Sequence, residues 1–270
     1  MTATIRPCRW ADSFYPADPA SLRALIRDLH TQAAARHLDL GSSRLRALIL
    51  PHAGYIFSGL TAAHGTSLLH TRHYKTVLLL GPAHHVGVAG CAVSAADTYR
   101  TPLGDIPLSD LGATLLADYP HLFQHNIASE QAEHSLEVIL PFLQESLKSF
   151  NLLPLVVGQA DGAATAQALA PLVNDDFLVV VSSDLSHFLD YDEAVARDHQ
   201  TLQAIIDFDL KALAANDNQA CGMAGIRILL HLARAKGWQP QLLHYTNSGD
   251  TAGDRSRVVG YGAIAFTEGK

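Results

Sequence analysis

Short runs rich in Val, Ile and Leu, each bounded by turn residues, recur at Ala47 to Leu50, Thr76 to Leu80, Leu152 to Val157, Phe177 to Val181 and Val258 to Phe266. They lack the strict apolar/polar alternation of a half-exposed strand, which predicts strands buried on both faces. Between them, apolar residues recur at helical spacing. Asp18-Pro19 supplies an N-cap and a first-turn proline ahead of Leu22, Leu25, Ile26 and Leu29. Leu136, Leu140, Leu143 and Leu147 form a second stripe, which Pro141 is expected to kink or interrupt. Further helices are predicted over 161–173, 192–214 and 221–236, the last closed by Gly237. Strand and helix alternate with no Ser/Gly linker, charge block or repeat. The pattern therefore predicts a single α/β domain over 1–270, built on a mostly parallel central sheet flanked by helices.

Composition narrows the function. Of 270 residues, 26 are acidic and 19 are Lys or Arg, a formal net charge of −7, which argues against a nucleic-acid or basic membrane-surface partner. With 48% hydrophobic and 17% charged residues the chain can bury a substantial core. No run approaches the roughly 18 apolar residues of a membrane span, and the opening MTATIRPCRWADSFYPADP has no apolar stretch of signal-peptide length. Cys8, Cys91 and Cys221 are an odd count with long separations, which indicates neither a disulfide framework nor a cysteine-rich zinc knuckle. The expectation is a soluble cytoplasmic protein with a small-molecule substrate, no nucleic acid and no membrane. The low charge and Ala-rich helices permit a homodimer without requiring one.

The 15 histidines are the unusual entry, and position sorts them. Three apolar strands run into a histidine: ALIL-Pro51-His52, TVLLL-Gly81-Pro82-Ala83-His84-His85, and FLVVV-Ser182-Ser183-Asp184-Leu185-Ser186-His187. In open α/β sheets, ligands bind beyond the carboxyl ends of the strands, so His52, His84 and His187 are expected to share one crevice with Asp184 beside them. Spacing leaves the choice between His84 and His85 open. Cys221 opens a helical segment, where the dipole and free amides would favour a thiolate; packing as a small buried residue is the alternative. Glu133, in Glu133-His134-Ser135, is either a first-turn charge or a site residue. Tyr245-Thr246-Asn247-Ser248-Gly249-Asp250 reads as a structural turn. The remaining histidines, among them His30, His37, His64, His70, His199 and His244, are assigned to surface or packing roles.

Several segments, in order and across nearly the whole chain, together resemble the Memo family, whose bacterial and archaeal members are called AmmeMemoRadiSam system protein B. They are FYPAD, LPHAGYIFSG at 50–59, LGPAHHVG at 80–87, EHSLEVILPFL at 133–143, SSDLSH at 182–187, Cys221-Gly222, and the closing YTNSGD with VVGYGAIAF. The resemblance implies a fold like that of LigB-type class III extradiol dioxygenases, which are non-haem iron enzymes. It also implies a metal site of His52, His84 and Cys221, and His187 as acid/base with Asp184 nearby. A functional link to AMMECR-type and radical SAM proteins follows from the same likeness. The chain departs from the dioxygenases in having Cys221 where they use a carboxylate. It departs from animal Memo proteins in having Met223-Ala224-Gly225 where they are more polar and basic.

Two imidazoles and a thiolate form a borderline-to-soft donor set, suited to Fe(II), copper or Zn. Three protein ligands leave a position open for substrate or water. His187 would be the general acid/base and Asp184 would orient it or another site group, with Tyr55, Glu133 and His134 lining the cleft or backing the ligands. The expected function is a metal-dependent, dioxygenase-like oxidoreductase acting on a small molecule. The alternative is a non-catalytic protein that sequesters metal or binds a peptide in the same cleft. A serine hydrolase built on Ser182 or Ser183 with Asp184 and His187 fits poorly, because these residues crowd one segment and no G-x-S-x-G elbow is present.

Overall fold

The computed structural model describes residues 4–34, 43–215 and 220–269. In chain order the strands are β1 (Ile5–Arg6), β2 (Leu45–Leu50), β3 (Thr76–Pro82), β4 (Cys91–Val93), β5 (Thr98–Thr101), β6 (Gly104–Pro107), β7 (Phe123–His125), β8 (Asn151–Val157), β9 (Phe177–Ser182), β10 (His187–Leu189), β11 (Trp238–Asn247) and β12 (Val258–Glu268). The helices are α1 (Pro19–Ala34), α2 (Tyr55–Thr66), α3 (Leu111–Asp118), α4 (Ile127–Ala132), α5 (Ser135–Ser146), α6 (Gly162–Leu169), α7 (Tyr191–Ile206), α8 (Ala212–Ala215), α9 (Met223–Lys236) and α10 (Ser248–Ala252).

The main sheet runs β10-β12-β2-β9-β3-β8-β4-β7, with β11 also paired to β12, and β1, β5 and β6 form a small separate sheet. Its centre, β2-β9-β3-β8, is parallel as the unbroken apolar runs predict. On the flanks, β12 is antiparallel to β2, β10 and β11, and β4 is antiparallel to β8, so the sheet as a whole is mixed. Alternate residues of the central strands feed two cores. Ala47, Ile49, Leu78, Leu80, Val179 and Val181 pack against α6, α7 and α9, while Leu48, Leu50, Val77, Leu79, Leu178 and Val180 pack toward α5. A third cluster joins α1, α2 and α5.

Two local expectations change. The helix α5 runs unbroken through Pro141, because every residue from Ser135 to Leu143 is buried and this packing outweighs one missing main-chain hydrogen bond. The helix expected over 192–214 divides into α7 and α8, with Phe208 between them in the left-handed region at φ 56°. The α9 helix ends as predicted, with Gly237 left-handed at φ 71°.

The N-terminal segment is tied down by one buried ion pair. Glu137, on α5, accepts Arg6 Nη1 at 2.7 Å, the main-chain N–H groups of Arg9 and Trp10, and the Tyr15 hydroxyl. Arg6 uses its remaining donors on the carbonyls of Glu130 and Glu133. Both side chains are almost fully buried. Glu137→Ala strands the guanidinium without its counter-charge and is expected to cost about 3–5 kcal/mol in urea unfolding. Removing the exposed Lys75–Asp176 pair with Lys75→Ala is expected to cost about 0–1 kcal/mol.

Candidate metal centre

Because β2, β9 and β3 are adjacent and parallel, their carboxyl ends open on one edge. His52 follows β2, His84 follows β3, and Asp184 and His187 follow β9. Cys221 arrives from one helical layer, just ahead of α9, and Glu133 and His134 arrive from the other, just ahead of α5. Gly222 permits the first approach, since a Cβ there would lie 2.6 Å from both the Ser182 carbonyl oxygen and Ser183 Cβ. Ligand atoms of His52, His84 and Cys221 all lie within 4.8 Å of one another.

The hydrogen bonds fix which nitrogen of each ring faces inward. The Ser182 hydroxyl donates to the Ser135 carbonyl at 2.7 Å, so it can only accept from His52 Nδ1, at 2.8 Å. The proton of His52 is therefore on Nδ1, and Nε2 turns its lone pair toward Cys221 Sγ, 3.4 Å away. His84 Nδ1 donates to Glu133 Oε1 at 2.8 Å, which leaves its Nε2 as the donor atom. His187 Nδ1 donates to the Leu185 carbonyl at 2.8 Å, with the same consequence. An ion bound to sulfur at about 2.3 Å and nitrogen at about 2.0–2.1 Å with tetrahedral angles holds those ligands about 3.5 Å apart. The His52–Cys221 separation fits that requirement.

His84, Glu133 and His134 also lie within 4.8 Å of one another. Glu133 Oε1, however, already accepts His84 Nδ1–H and the main-chain N–H groups of His134 and Ser135, while Oε2 accepts the His84 N–H. This carboxylate orients His84 rather than binding an ion. Burial opposes its charge, but the hydrogen bonds from His84 and Ser135 win and hold Glu133 at about 2.

Burial dominates the protonation of the cluster. Burial, then His134 and His84, depresses His52 well below the usual imidazole range, and burial brings His134 to about 4. These rings are neutral and keep their lone pairs at neutral pH. Burial pushes the Cys221 thiol up, and Asp184 adds to the effect, so the thiolate stabilisation expected from the helix start is outweighed. Asp184 itself is pushed up to about 7 by burial, against the pull of the His52 and Ala53 N–H groups. Its Oδ1 accepts the His52 N–H at 2.8 Å, and its own N–H points at Cys221 Sγ, so it organises the ligand loops. His187 lies outside the three-ligand group, yet near enough that its charge is felt by His52.

Beside the ligands, the His134 ring stacks on His84 at 4.6 Å and meets Phe14 at 4.9 Å and Trp10 at 5.6 Å. His85 stacks on Trp10 and is not among the three residues whose ligand atoms converge. Tyr55 turns away from the cleft: its hydroxyl donates to the Val138 carbonyl and its ring packs on Tyr15 and Phe142. Ser183 donates to the Asp184 carbonyl and accepts the Gly222 N–H, so neither serine is placed as a nucleophile. Of the other histidines, His30 joins Thr66 and His70, His64 stacks on His244, and His37 lies outside the described residues. Asn247 and Asp250 form a capping box for α10, as the turn composition suggests. A cavity of about 470 Å³ opens beside Cys221, lined by Ala83, Val88, Val157, Gln159 and Ala224 among others, with no charged side chain. The Ser182–Ser135 contact and the Arg6–Glu137 pair are not legible in the sequence: SSDLSH and EHSLE contain Ser182, Ser135 and Glu137 without naming a partner, and Arg6 lies in no motif.

Comparison with known proteins agrees across nearly the whole chain. A family profile described as "Memo-like protein" matches residues 6–265. A "MEMO1 family protein" of Archaeoglobus fulgidus is 32% identical over 97% of this chain and 99% of its own length. One from Aeropyrum pernix is 34% identical over 96% and 99%. The crystal structure of an uncharacterized protein from Escherichia coli K12 superposes with a TM-score of 0.53 over 82% of this chain and 99% of that one, at 15% identity, which speaks to the fold alone.

The depressed Glu133 carboxyl has a testable consequence. A group whose folded pKa lies below its ordinary value of 4.5 stabilises the fold above that value and loses the contribution as pH falls toward 2. Glu133→Gln is therefore expected to be less stable than wild type at neutral pH, with the gap narrowing across that acid window. Urea unfolding of both proteins at a series of pH values measures it.

Proposed function

The chain belongs to the Memo family, and from that premise we propose that it binds iron or copper through His52, His84 and Cys221 and acts as a dioxygenase-like oxidoreductase on a small molecule. The observation that carries this reading is the convergence of two imidazoles with committed Nδ1 protons on one half-buried thiol. A redox metal held there supplies Lewis acidity and one-electron exchange with O₂. The chain supplies the rest. Glu133 fixes the His84 ring, Asp184 fixes the His52 loop, and Trp10, Phe14 and His134 shield one side from water. His187, with Nε2 as its basic atom, takes a proton from the substrate or returns one to the product. The uncharged lining of the cavity at Cys221 favours a substrate without charge at that end, and Ala224 keeps it open.

Elemental analysis of anaerobically purified protein tests the ligand set. His52→Ala, His84→Ala and Cys221→Ala are each expected to lose most of the bound metal, at least tenfold in affinity, while keeping a cooperative unfolding transition. Unchanged stoichiometry in all three would sink the site. Air is excluded because oxidation of Cys221 would remove a ligand. Oxygen consumption across a panel of uncharged aromatic substrates separates the enzyme from the alternative. Tight metal binding without turnover would favour a sequestering or peptide-binding protein.

A further inference from the structure

His187 stands on backbone that the chain does not adopt freely. The next residue, Phe188, has φ 62°, in the left-handed region that a residue with a Cβ occupies only when its surroundings impose it. The pairing of β10 with β12 shifts register between His187 and Leu189, and the exposed Phe188 ring lies under Arg257 at 5.0 Å.

Two main-chain hydrogen bonds and one to a side chain hold the approach to this turn. Leu185 N–H donates to Gly260 O at 2.8 Å, Gly260 N–H donates to Ser186 O at 3.0 Å, and Ser186 N–H donates to Asp198 Oδ1 at 2.9 Å. Asp198 comes from α7, is fully buried, and receives the Tyr245 hydroxyl on Oδ2 at 2.9 Å. Its carboxylate fills the space left by the missing side chain of Gly260, where a Cβ would lie 1.9 Å from Oδ2. The Ser186 N–H and the Leu185 carbonyl are two ends of one planar peptide unit. Asp198 grips the N–H end, and His187 Nδ1–H is bonded to the carbonyl end.

We propose that Asp198 is a positioning residue for His187: by fixing the 185–186 peptide plane it presents the carbonyl that holds the proton on Nδ1, and so keeps Nε2 as the basic atom facing the cleft. The proposal rests on reading His187 as the proton-transfer group. Without the carboxylate, the buried Ser186 N–H is left unsatisfied, and the peptide plane turns to find another acceptor. The Leu185 carbonyl turns with it, and the imidazole is released to exchange its proton between the two nitrogens.

Histidine-selective ¹⁵N NMR of the full-length, zinc-loaded chain reads this directly, with His187→Gln identifying the signal. In wild type at neutral pH, His187 is expected as the Nδ1–H tautomer. Asp198→Ala should weaken that preference about tenfold, the worth of one such hydrogen bond, while the His52 and His84 signals stay in place. Asp198→Asn keeps an oxygen for the Ser186 N–H and should restore the wild-type tautomer. An unchanged His187 signal in folded Asp198→Ala overturns the proposal, as does an equal shift of His52 and His84. If Asp198→Ala does not fold, Tyr245→Phe frees one side of the carboxylate and should give the same shift at smaller amplitude, and no shift overturns the idea. Turnover by His187→Gln equal to wild type would remove the acid/base reading while leaving the tautomer result intact.

Discussion

Burying a carboxylate is tolerable only when donors are assembled around it, and two glutamates at the head of α5 impose that demand on the rest of the molecule. Glu133 collects N–H groups from the loop after β3 and from its own helix start. Glu137 collects them from the N-terminal segment, together with Arg6 and the Tyr15 hydroxyl. The two are linked, because Arg6 also binds the Glu133 carbonyl. Satisfying these charges fixes, in one step, the ring plane of His84, the entry of α5 and the wall made by Trp10 and Phe14. The geometry of the metal group is thus a by-product of paying an electrostatic debt elsewhere.

The strands were legible because fully buried strands need unbroken apolar runs, and the positions of His52, His84 and His187 were legible because parallel strands end on one edge. Geometry could not be read where the deciding partner is remote. Pro141 looks like a helix breaker until the burial of its neighbours is known. Tyr55 sits three residues from His52, yet helix α2 carries its hydroxyl to Val138. The Cys221 thiol lies ahead of a helix, but burial beside Asp184 decides its proton affinity. Asp198 had no signal at all, since nothing in an amphipathic helix shows that one of its acids will meet Ser186.

The tautomers follow a single rule. His52, His84 and His187 each give the Nδ1 proton to an atom that cannot return one: a serine oxygen whose proton is committed, a carboxylate, and a carbonyl. Nε2 is then the nitrogen left free of that bond in all three. For His52 this suits coordination, because a protonated imidazole has no lone pair to offer. For His187, in contact with more solvent, it suits proton transfer.

The residues that build this group come from the strand ends and from both sides of the sheet. Cys221 belongs to the layer of α6, α7 and α9, whereas the carboxylate that aims His84 belongs to the layer of α5. Neither layer can assemble the donor set alone, so the group exists only when both are docked on the strand ends. An ion that bound this group more tightly than the unfolded chain would stabilise the native state by up to RT ln(1 + [ion]/Kd), about 2.7 kcal/mol at a hundredfold excess over Kd. On the proposed function, metal loading and the docking of the two layers would be one equilibrium, in which a substitution that loosens α5 or α9 would weaken ion binding without touching a ligand.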